Sequence, residues 1–147
     1  MQQAALTQST KISDVKRVWH LVDVKDETLG RVASKIAHLL MGKSKPYFVR
    51  NLDCGDFVVV LNAKDIKVTG NKEEQKKYYR HSGYPGGFKE EKLKDLRVRK
   101  PEDIIIHAVK GMLPQNKLRD RMLTRLLVSA DDKNKYADKF KNQNVTE

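Results

Sequence analysis

The distribution of apolar and polar residues predicts several short strands. Val18–Val24 (VWHLVDV) is rich in β-branched residues, and Phe57–Leu61 (FVVVL) is a continuous apolar run. A continuous run is typical of a strand that is covered on both faces, as in a parallel sheet. Leu126–Ser129 predicts a final strand, and the segments Lys67–Thr69 and Lys76–Arg80 predict two shorter ones.

Apolar residues at helical spacing predict a first helix over Thr28–Met41, TLGRVASKIAHLLM. Thr28 is suited to be its N-cap, and Gly42 lies where a glycine commonly ends a helix. Pro46 prevents the helix from resuming after that glycine. This helix lies between the first two strands of the sequence, which is the order found in α/β folds.

A second helix is predicted to begin with Pro101–His107, since proline suits a first helical turn. The apolar run that follows is broken at Gly111 and Pro114, and a third helix begins near Lys117. The length of 147 residues is about that of one domain. The order of the elements therefore predicts a single-domain α/β sandwich with a largely parallel sheet.

The charge balance favours a polyanionic partner. Thirty Lys and Arg against nineteen Asp and Glu give a net charge of +11. Residues 64–125 supply +8 of this charge, from seventeen basic and nine acidic side chains. Cys54 is the one cysteine, which excludes an internal disulfide and a zinc site built from several cysteines. No apolar run approaches the roughly eighteen residues of a membrane span, so we expect no membrane partner.

Within the basic region, the segment AVKGMLPQNKLRDRMLTR at residues 108–125 combines a rigid turn with a short cationic helix. Its closely spaced cations are Lys117, Arg119, Arg121 and Arg125. Long cationic side chains along a short helix suit a phosphate backbone better than a small substrate. The segment therefore predicts nucleic-acid binding.

A second basic segment, KKYYRHSGYPGGFK at Lys76–Lys89, interleaves cations with aromatic rings. RNA recognition uses this mixture, because cations contact phosphates and rings stack on unpaired bases. In a strand, Tyr78 and Tyr79 point to opposite faces, so we expect one of them to belong to the core. The glycine-containing loop Ser82–Gly87 is expected to be the main contact.

Three features imitate ligand-binding or catalytic motifs and are interpreted as structural. AHLLMGKS at residues 37–44 fits a permissive phosphate-loop pattern, but its first half belongs to the first helix, whose amides are already hydrogen-bonded. DCGD at residues 53–56 is interpreted as a turn. The four histidines lack the spacing of metal ligands. An RNA-acting enzyme remains an alternative that requires two of His81, His107 and Asp56 to converge in space.

Seven stretches, taken in order along the chain, carry a resemblance to a known family. They are WHLVD at Trp19–Asp23, TLGRVAS at Thr28–Ser34, GKSKPYF at Gly42–Phe48, DCGDFVVVLNA at Asp53–Ala63, KVTGNK at Lys67–Lys72, YYRHSGYPGGFK at Tyr78–Lys89 and AVKGMLPQNKL at Ala108–Leu118. The ordered set resembles the large-subunit ribosomal protein L13 family in its bacterial and organellar form. GYPGG followed by VKGMLP is the most specific part of the match.

The resemblance implies a three-layer α/β/α domain around a four-stranded, mainly parallel sheet. It places this domain at residues 18–130, between a flexible N-terminal arm at residues 1–17 and a variable C-terminal tail at residues 131–147. It implies no enzymatic activity, no cofactor and no metal.

The resemblance also implies a function. We expect a structural constituent of the large ribosomal subunit that binds folded rRNA and acts early in assembly. The expected partners are large-subunit rRNA and neighbouring proteins of that subunit, rather than a second copy of this chain. The expected location is the bacterial cytoplasm, with a mitochondrial or other organellar ribosome as the alternative. A regulatory RNA- or protein-binding module that works off the ribosome would have the same electrostatics and stays open.

The expected RNA contacts combine the positions that match the family with the basic segments described above. They are Lys43, Lys45, Lys72, Lys77, Arg80, His81, Ser82, Gly83, Tyr84, Lys110, Lys117, Arg119, Arg121 and Arg125. We expect that removing the charges of Arg119, Arg121 and Arg125 together impairs incorporation into the subunit and leaves the fold intact.

Overall fold

The computed structural model describes residues 10–141. Its strands are Trp19–Asp23 (β1), Phe57–Leu61 (β2), Lys77–His81 (β3), Phe88–Lys92 (β4) and Leu126–Val128 (β5). Its α-helices are Leu29–Met41 (α1), Lys72–Gln75 (α2), Leu93–Arg99 (α3), Pro101–Met112 (α4), Leu118–Leu123 (α5) and Ala137–Lys141 (α6).

Three of the strands form a parallel sheet in the order β1-β2-β5. The central position of β2 explains its continuous apolar sequence, because both of its faces are covered: Val58, Val59 and Val60 are at most 2 % exposed. The predictions of β1, β2 and β5 and of their parallel arrangement are confirmed.

The expected fourth strand of this sheet is not found among residues 10–141. β3 and β4 instead form a separate two-stranded antiparallel hairpin. Lys67–Thr69 was expected to be a strand, but it makes a single parallel bridge, between Lys67 and Thr28. Val68 packs against a small apolar cluster of Leu93, Leu96 and Ile104, which also contacts Tyr78 of the hairpin.

The predicted first helix is confirmed, and it ends as its sequence indicates. Gly42 follows α1 with a φ of 74°, a left-handed conformation that favours glycine, and its amide is hydrogen-bonded to the carbonyl oxygen of His38. Thr28 is the N-cap residue, although its side chain makes no capping hydrogen bond. α4 begins at Pro101 as predicted, but it continues through Gly111 and ends only before Leu113.

The main core lies where α1 and α4 pack together and against the parallel sheet. Its members include Val32, Ile36, Leu40, Val58, Val60, Ile105 and Val109, all fully buried. A second cluster of Leu93, Leu96 and Ile104, with Tyr78 packed against it, joins the hairpin to α3 and α4. Burial of these apolar side chains, including the apolar faces of α1 and α4, stabilises the fold.

The described parts of the predicted arm and tail contact the domain. The hydroxyl of Thr10 donates to the carbonyl oxygen of Tyr47 at 3.0 Å. The ring of Trp19 lies 6.1 Å from the rings of both Tyr136 and Phe140. Residues 1–9 of the arm and 142–147 of the tail lie outside the described residues, and the division at residues 17 and 130 stays a prediction. Within residues 10–141, no helix has the length and apolar character to cross a membrane.

Candidate nucleic-acid interface

The segment at residues 53–56 packs directly on the C-terminal end of α1. A Cβ atom at Gly55 would overlap the carbonyl group of Leu40, so no other residue fits this position without a shift. The amide of Asp56 donates to the carbonyl oxygen of Leu39 at 3.2 Å. This close approach brings Asp53 and Asp56 near the C-terminal end of α1. That helix end carries partial negative charge, so cations are favourable beside it.

Arg125 occupies the space beside this segment. Its guanidinium forms a two-point ion pair with the carboxylate of Asp53. It also donates to the carbonyl oxygens of Leu40 and Asp56, each at 3.3 Å. The side chain of Arg125 is only 8 % exposed, so these donors are not available to a phosphate. Arg125 therefore has a structural role, and we remove it from the expected RNA contacts.

Asp56 forms a second ion pair in the same place. Its carboxylate accepts hydrogen bonds from the ammonium of Lys45, from the amide of Val18 at 2.9 Å and from Nε2 of His20 at 3.0 Å. Burial raises the pKa of Asp56, but the hydrogen bonds from Lys45, Val18 and His20 outweigh this effect, and the pKa lies below its ordinary value.

Lys45 is consequently an internal cation as well. Its side chain is 11 % exposed, and its ammonium also donates to the carbonyl oxygens of Lys16 and Cys54. All three donors are therefore used within the protein. Sequence reasoning missed both internal pairs. The signal that was available was two carboxylates immediately before a buried strand, because such groups need buried cations.

Four exposed cations on α5 and in the groove beside it make no ion pair with a described residue. They are Lys43, Arg50, Lys117 and Arg121, which we call the α5 surface. Lys43 and Arg50 line one groove together with Asn116. Lys117 and Arg121 are four residues apart, which places them on one side of α5. Met122 is 4 % exposed and fixes α5 to the core, so these side chains extend from a rigid base.

Arg50 was not among the expected contacts, because it is an isolated arginine after GKSKPYF and belongs to neither basic segment. Arg119, which was expected, is half-buried between the exposed cations of α5. Its Nε atom is buried and has no hydrogen-bond partner among the residues described. Lys110 is exposed in the last turn of α4, ahead of the turn that leads to α5.

The hairpin has two different faces. Tyr78 is half-buried, packs against the second cluster and lies 5.1 Å from the ring of His107. This burial raises the pKa of the Tyr78 hydroxyl. Tyr79 is 64 % exposed, and its ring stacks on that of Phe88 with 5.6 Å between the centroids. The prediction that the two tyrosines point to opposite faces is confirmed.

The expected contacts Arg80, His81, Ser82, Gly83 and Tyr84 lie together at the exposed tip of this hairpin. Gly83 has a φ of 88°, and its amide donates to Nδ1 of His81 at 2.9 Å. Tyr84 is 76 % exposed. Lys72 is exposed at the start of α2, which contacts β4 and α3, so it belongs to this side of the molecule.

Part of the charge around the hairpin is compensated by acids of the same region. Lys77 pairs with Glu90 at 3.0 Å, and Arg99 pairs with Glu91 at 2.6 Å. Hydrogen bonding to Arg99 lowers the pKa of Glu91. The hairpin therefore combines exposed aromatic rings with partly compensated charge, since Arg80 and Lys89 stay exposed. The α5 surface has cations without ion pairs and no comparable pair of stacked rings among the described residues.

Asp56, His81 and His107, two of which an RNA-acting enzyme would bring together, each contact different residues. Asp56 precedes β2 and binds His20 and Lys45, whereas His81 ends β3 in the other sheet and accepts the amide of Gly83. His107 packs against Tyr78. In the part of the chain that the structure describes, no group of three or more His, Cys, Asp or Glu side chains has the arrangement of a metal site.

The sequence pattern that defines ribosomal protein L13 matches residues 17–135. The chain belongs to the ribosomal protein L13 family. It is 54 % identical over 131 residues to the large ribosomal subunit protein uL13 of Dehalococcoides mccartyi strain 195, covering 89 % of this chain and 92 % of that one. It is 56 % identical over 122 residues to uL13 of Aquifex aeolicus, covering 83 % and 85 %, and 53 % identical over 127 residues to uL13 of Clostridioides difficile, covering 86 % and 89 %.

Membership of the L13 family confirms the resemblance found in the sequence. It identifies the protein as a structural, non-enzymatic constituent of the ribosome, so the alternative of an RNA-acting enzyme is removed. The three relatives compared are bacterial proteins.

Proposed function

We propose that this protein binds folded rRNA of the large subunit through the α5 surface and the exposed face of the hairpin, and that it supports early assembly of that subunit. The observation that carries the proposal is the α5 surface, whose four exposed cations have no carboxylate partner among residues 10–141. Unpaired cations held on a rigid support are the arrangement that phosphate contacts require.

The proposed partners are large-subunit rRNA and neighbouring proteins of the same subunit, with one copy of this chain in each particle. The bacterial origin of the relatives supports the cytoplasmic ribosome of a bacterium as the location. The proposed RNA contacts are the expected ones without Lys45 and Arg125, together with Arg50.

Sucrose-gradient sedimentation of tagged protein from its own cells tests this function, with and without a high-salt wash. We expect stoichiometric recovery in the large subunit after washing, and recovery in precursor particles that form early after pulse labelling. Recovery in light fractions, or loss on a mild wash, contradicts the proposal and favours the regulator that works off the ribosome.

A variant makes the test specific to the α5 surface. The triple removal of Arg119, Arg121 and Arg125 is unsuitable, because Arg125 is an internal cation whose loss disturbs the fold. The pair Lys117→Gln and Arg121→Gln keeps Arg125 in place, and we expect it to reduce incorporation. The control is Lys94→Gln with Lys139→Gln, two exposed lysines with the same change of charge, which should incorporate normally.

A further inference from the structure

A groove beside α5 combines an apolar floor with a cationic rim. Its walls are the loop after α1 and the turn before α5, and it encloses about 330 Å³. This volume lies in the range of sites that hold small molecules. The groove is lined by Met41, Lys43, Phe48, Arg50, Leu52, Pro114, Asn116 and Met122.

The charge of this groove differs from that of three other cavities in the described part of the chain. The cavity beside β5 contains Glu102, the cavity under the hairpin contains Glu90, Glu91 and Asp103, and the cavity beside Arg17 contains Asp53. The groove beside α5 has Lys43 and Arg50 in its lining and no carboxylate. An anionic ligand is therefore favoured here.

The other lining residues restrict the kind of anion. Phe48 and the two thioethers offer apolar contact area to a flat ring, and a half-buried aromatic ring can stack on a base. The Oδ1 atom of Asn116 accepts the amide of Leu118 at 3.1 Å, which fixes the side chain and leaves its NH2 group as a donor. A flat ring with polar edges that is attached to a phosphate is a nucleotide.

We propose that this groove holds one unpaired nucleotide of the bound RNA, with its base against Phe48 and its phosphate between Lys43 and Arg50. Lys117 directly follows Asn116 in the chain and is exposed, so we assign it the adjoining phosphate. The inference rests on the proposed RNA binding and specifies what occupies the groove. The occupant is a base that is not paired in an RNA helix, as in the recognition of single-stranded RNA.

Photo-crosslinking tests the occupant directly. Benzoylphenylalanine replaces Phe48 in the full chain, and the probe is rRNA purified from large subunits of cells that make this protein. We expect crosslinks to one unpaired nucleotide or a short unpaired segment. The same group at Val98, which is 85 % exposed on α3, is the control and should give none of these crosslinks. Crosslinks from position 48 to a neighbouring protein in assembled subunits, or none to rRNA, overturn the proposal.

Affinity measured at several salt concentrations provides a second readout. Phe48→Ala should weaken binding of the same rRNA by about 5- to 150-fold and leave the salt dependence unchanged, because it removes stacking alone. Lys43→Gln with Arg50→Gln should lower the slope of log affinity against log salt by at least about 0.7, because a phosphate contact is lost. Both residues are exposed, so this variant also serves if Phe48→Ala fails to fold.

The two possible failures are distinguishable. If the unaltered protein does not bind the rRNA with a steep salt dependence, the proposed function is wrong. If the unaltered protein binds in that way, and both folded variants bind with unchanged affinity and slope, the groove holds no nucleotide and the proposed function stands.

Discussion

The α5 surface and the hairpin are both basic in sequence, but their charges are arranged differently. Lys117 and Arg121 have no acidic partner among residues 10–141, whereas Lys77 is paired with Glu90 on the same hairpin. The hairpin instead exposes the stacked rings of Tyr79 and Phe88. Positive charge in a sequence therefore marks a possible RNA surface, but only the pairing of that charge shows whether the contact depends on salt.

The largest expected effect comes from Arg125, which belongs to the same basic segment as Lys117 and Arg121 but is buried. Arg125→Met should lower the free energy of unfolding by about 3 kcal/mol, because the buried carboxylate of Asp53 loses its two-point partner and keeps only the longer contact with Arg17 at 3.4 Å. Urea unfolding measures this change. Arg121→Met, an exposed control, should change the free energy little. Equal stability of the two variants would contradict the assignment of Arg125 as an internal cation.

The next effect separates the two surfaces by their salt dependence. Lys117→Gln with Arg121→Gln should lower the slope of log affinity against log salt by about 1.4–1.8, since each lost phosphate contact accounts for about 0.7–0.9. Filter binding to purified large-subunit rRNA measures the slope. Lys94→Gln with Lys139→Gln should leave it unchanged. If the two pairs behave alike, the effect is one of net charge and not of the α5 surface.

Tyr79→Ser provides the opposite test on the hairpin. We expect the affinity for the same rRNA to fall by about 5-fold or more, because one stacking partner is lost, with no change in the salt slope. Val98→Ser removes a comparably exposed apolar group from α3 and is the control. A changed slope, or an equal loss in the control, would show that Tyr79 does not stack on a base.

The internal carboxylates should be distinguishable from those of the hairpin by pH. The pKa of Asp56 is lowered in the folded protein, so its contribution to stability is complete above the ordinary value near 3.8. That contribution is lost as the pH falls through the lower folded-state pKa. The free energy of unfolding, measured in urea between pH 6 and pH 3, should therefore decrease less with falling pH for Asp56→Asn than for the unaltered protein.

Glu91→Gln is the matched control for this pH dependence. The pKa of Glu91 is also lowered, but this carboxylate lies at the surface, where solvent screens its ion pair with Arg99. We expect Glu91→Gln to leave the loss of stability at low pH nearly the same as in the unaltered protein. If Glu91→Gln reduces the acid loss as much as Asp56→Asn does, burial is not what distinguishes the two carboxylates.

The smallest effect should come from making the hairpin resemble the α5 surface. Glu90→Gln releases Lys77 from its ion pair, so the salt slope should become steeper by up to about 0.9 while the stability stays nearly unchanged. The same binding series measures this change. A slope that stays constant would mean that Lys77 does not reach a phosphate even when it is free.

The elements that could be predicted from the sequence are those with a local signal. The continuous apolar run Phe57–Leu61 indicates strand β2, and Gly42 indicates the end of α1, so in both cases a few adjacent residues carry the signal. β4 (FKEEK) and α3 (LKDLRVR) were not predicted, because most of their residues are polar. Their structure depends on pairing with β3 and on two buried leucines, Leu93 and Leu96.

The candidate interface shows the same limit. Arg121 and Arg125 are indistinguishable in the sequence, because both are arginines of one basic segment. Their difference is set by Asp53, which lies 72 residues before Arg125. The exposed tip of the hairpin could be predicted because its glycines and aromatic residues are adjacent in the chain. The groove could not, because its two walls come from distant segments.

The ion pair between Asp53 and Arg125 also has a consequence for the order of folding. β2 receives its second neighbour only when β5 has been made, and α1 receives the hydrogen bond from Arg125 across 85 residues. Such long-range contacts form slowly, since a large loop must close first. A growing chain therefore completes its hairpin earlier than its α5 surface. Under the proposed function, the aromatic side of the chain would therefore become available to RNA before the cationic side.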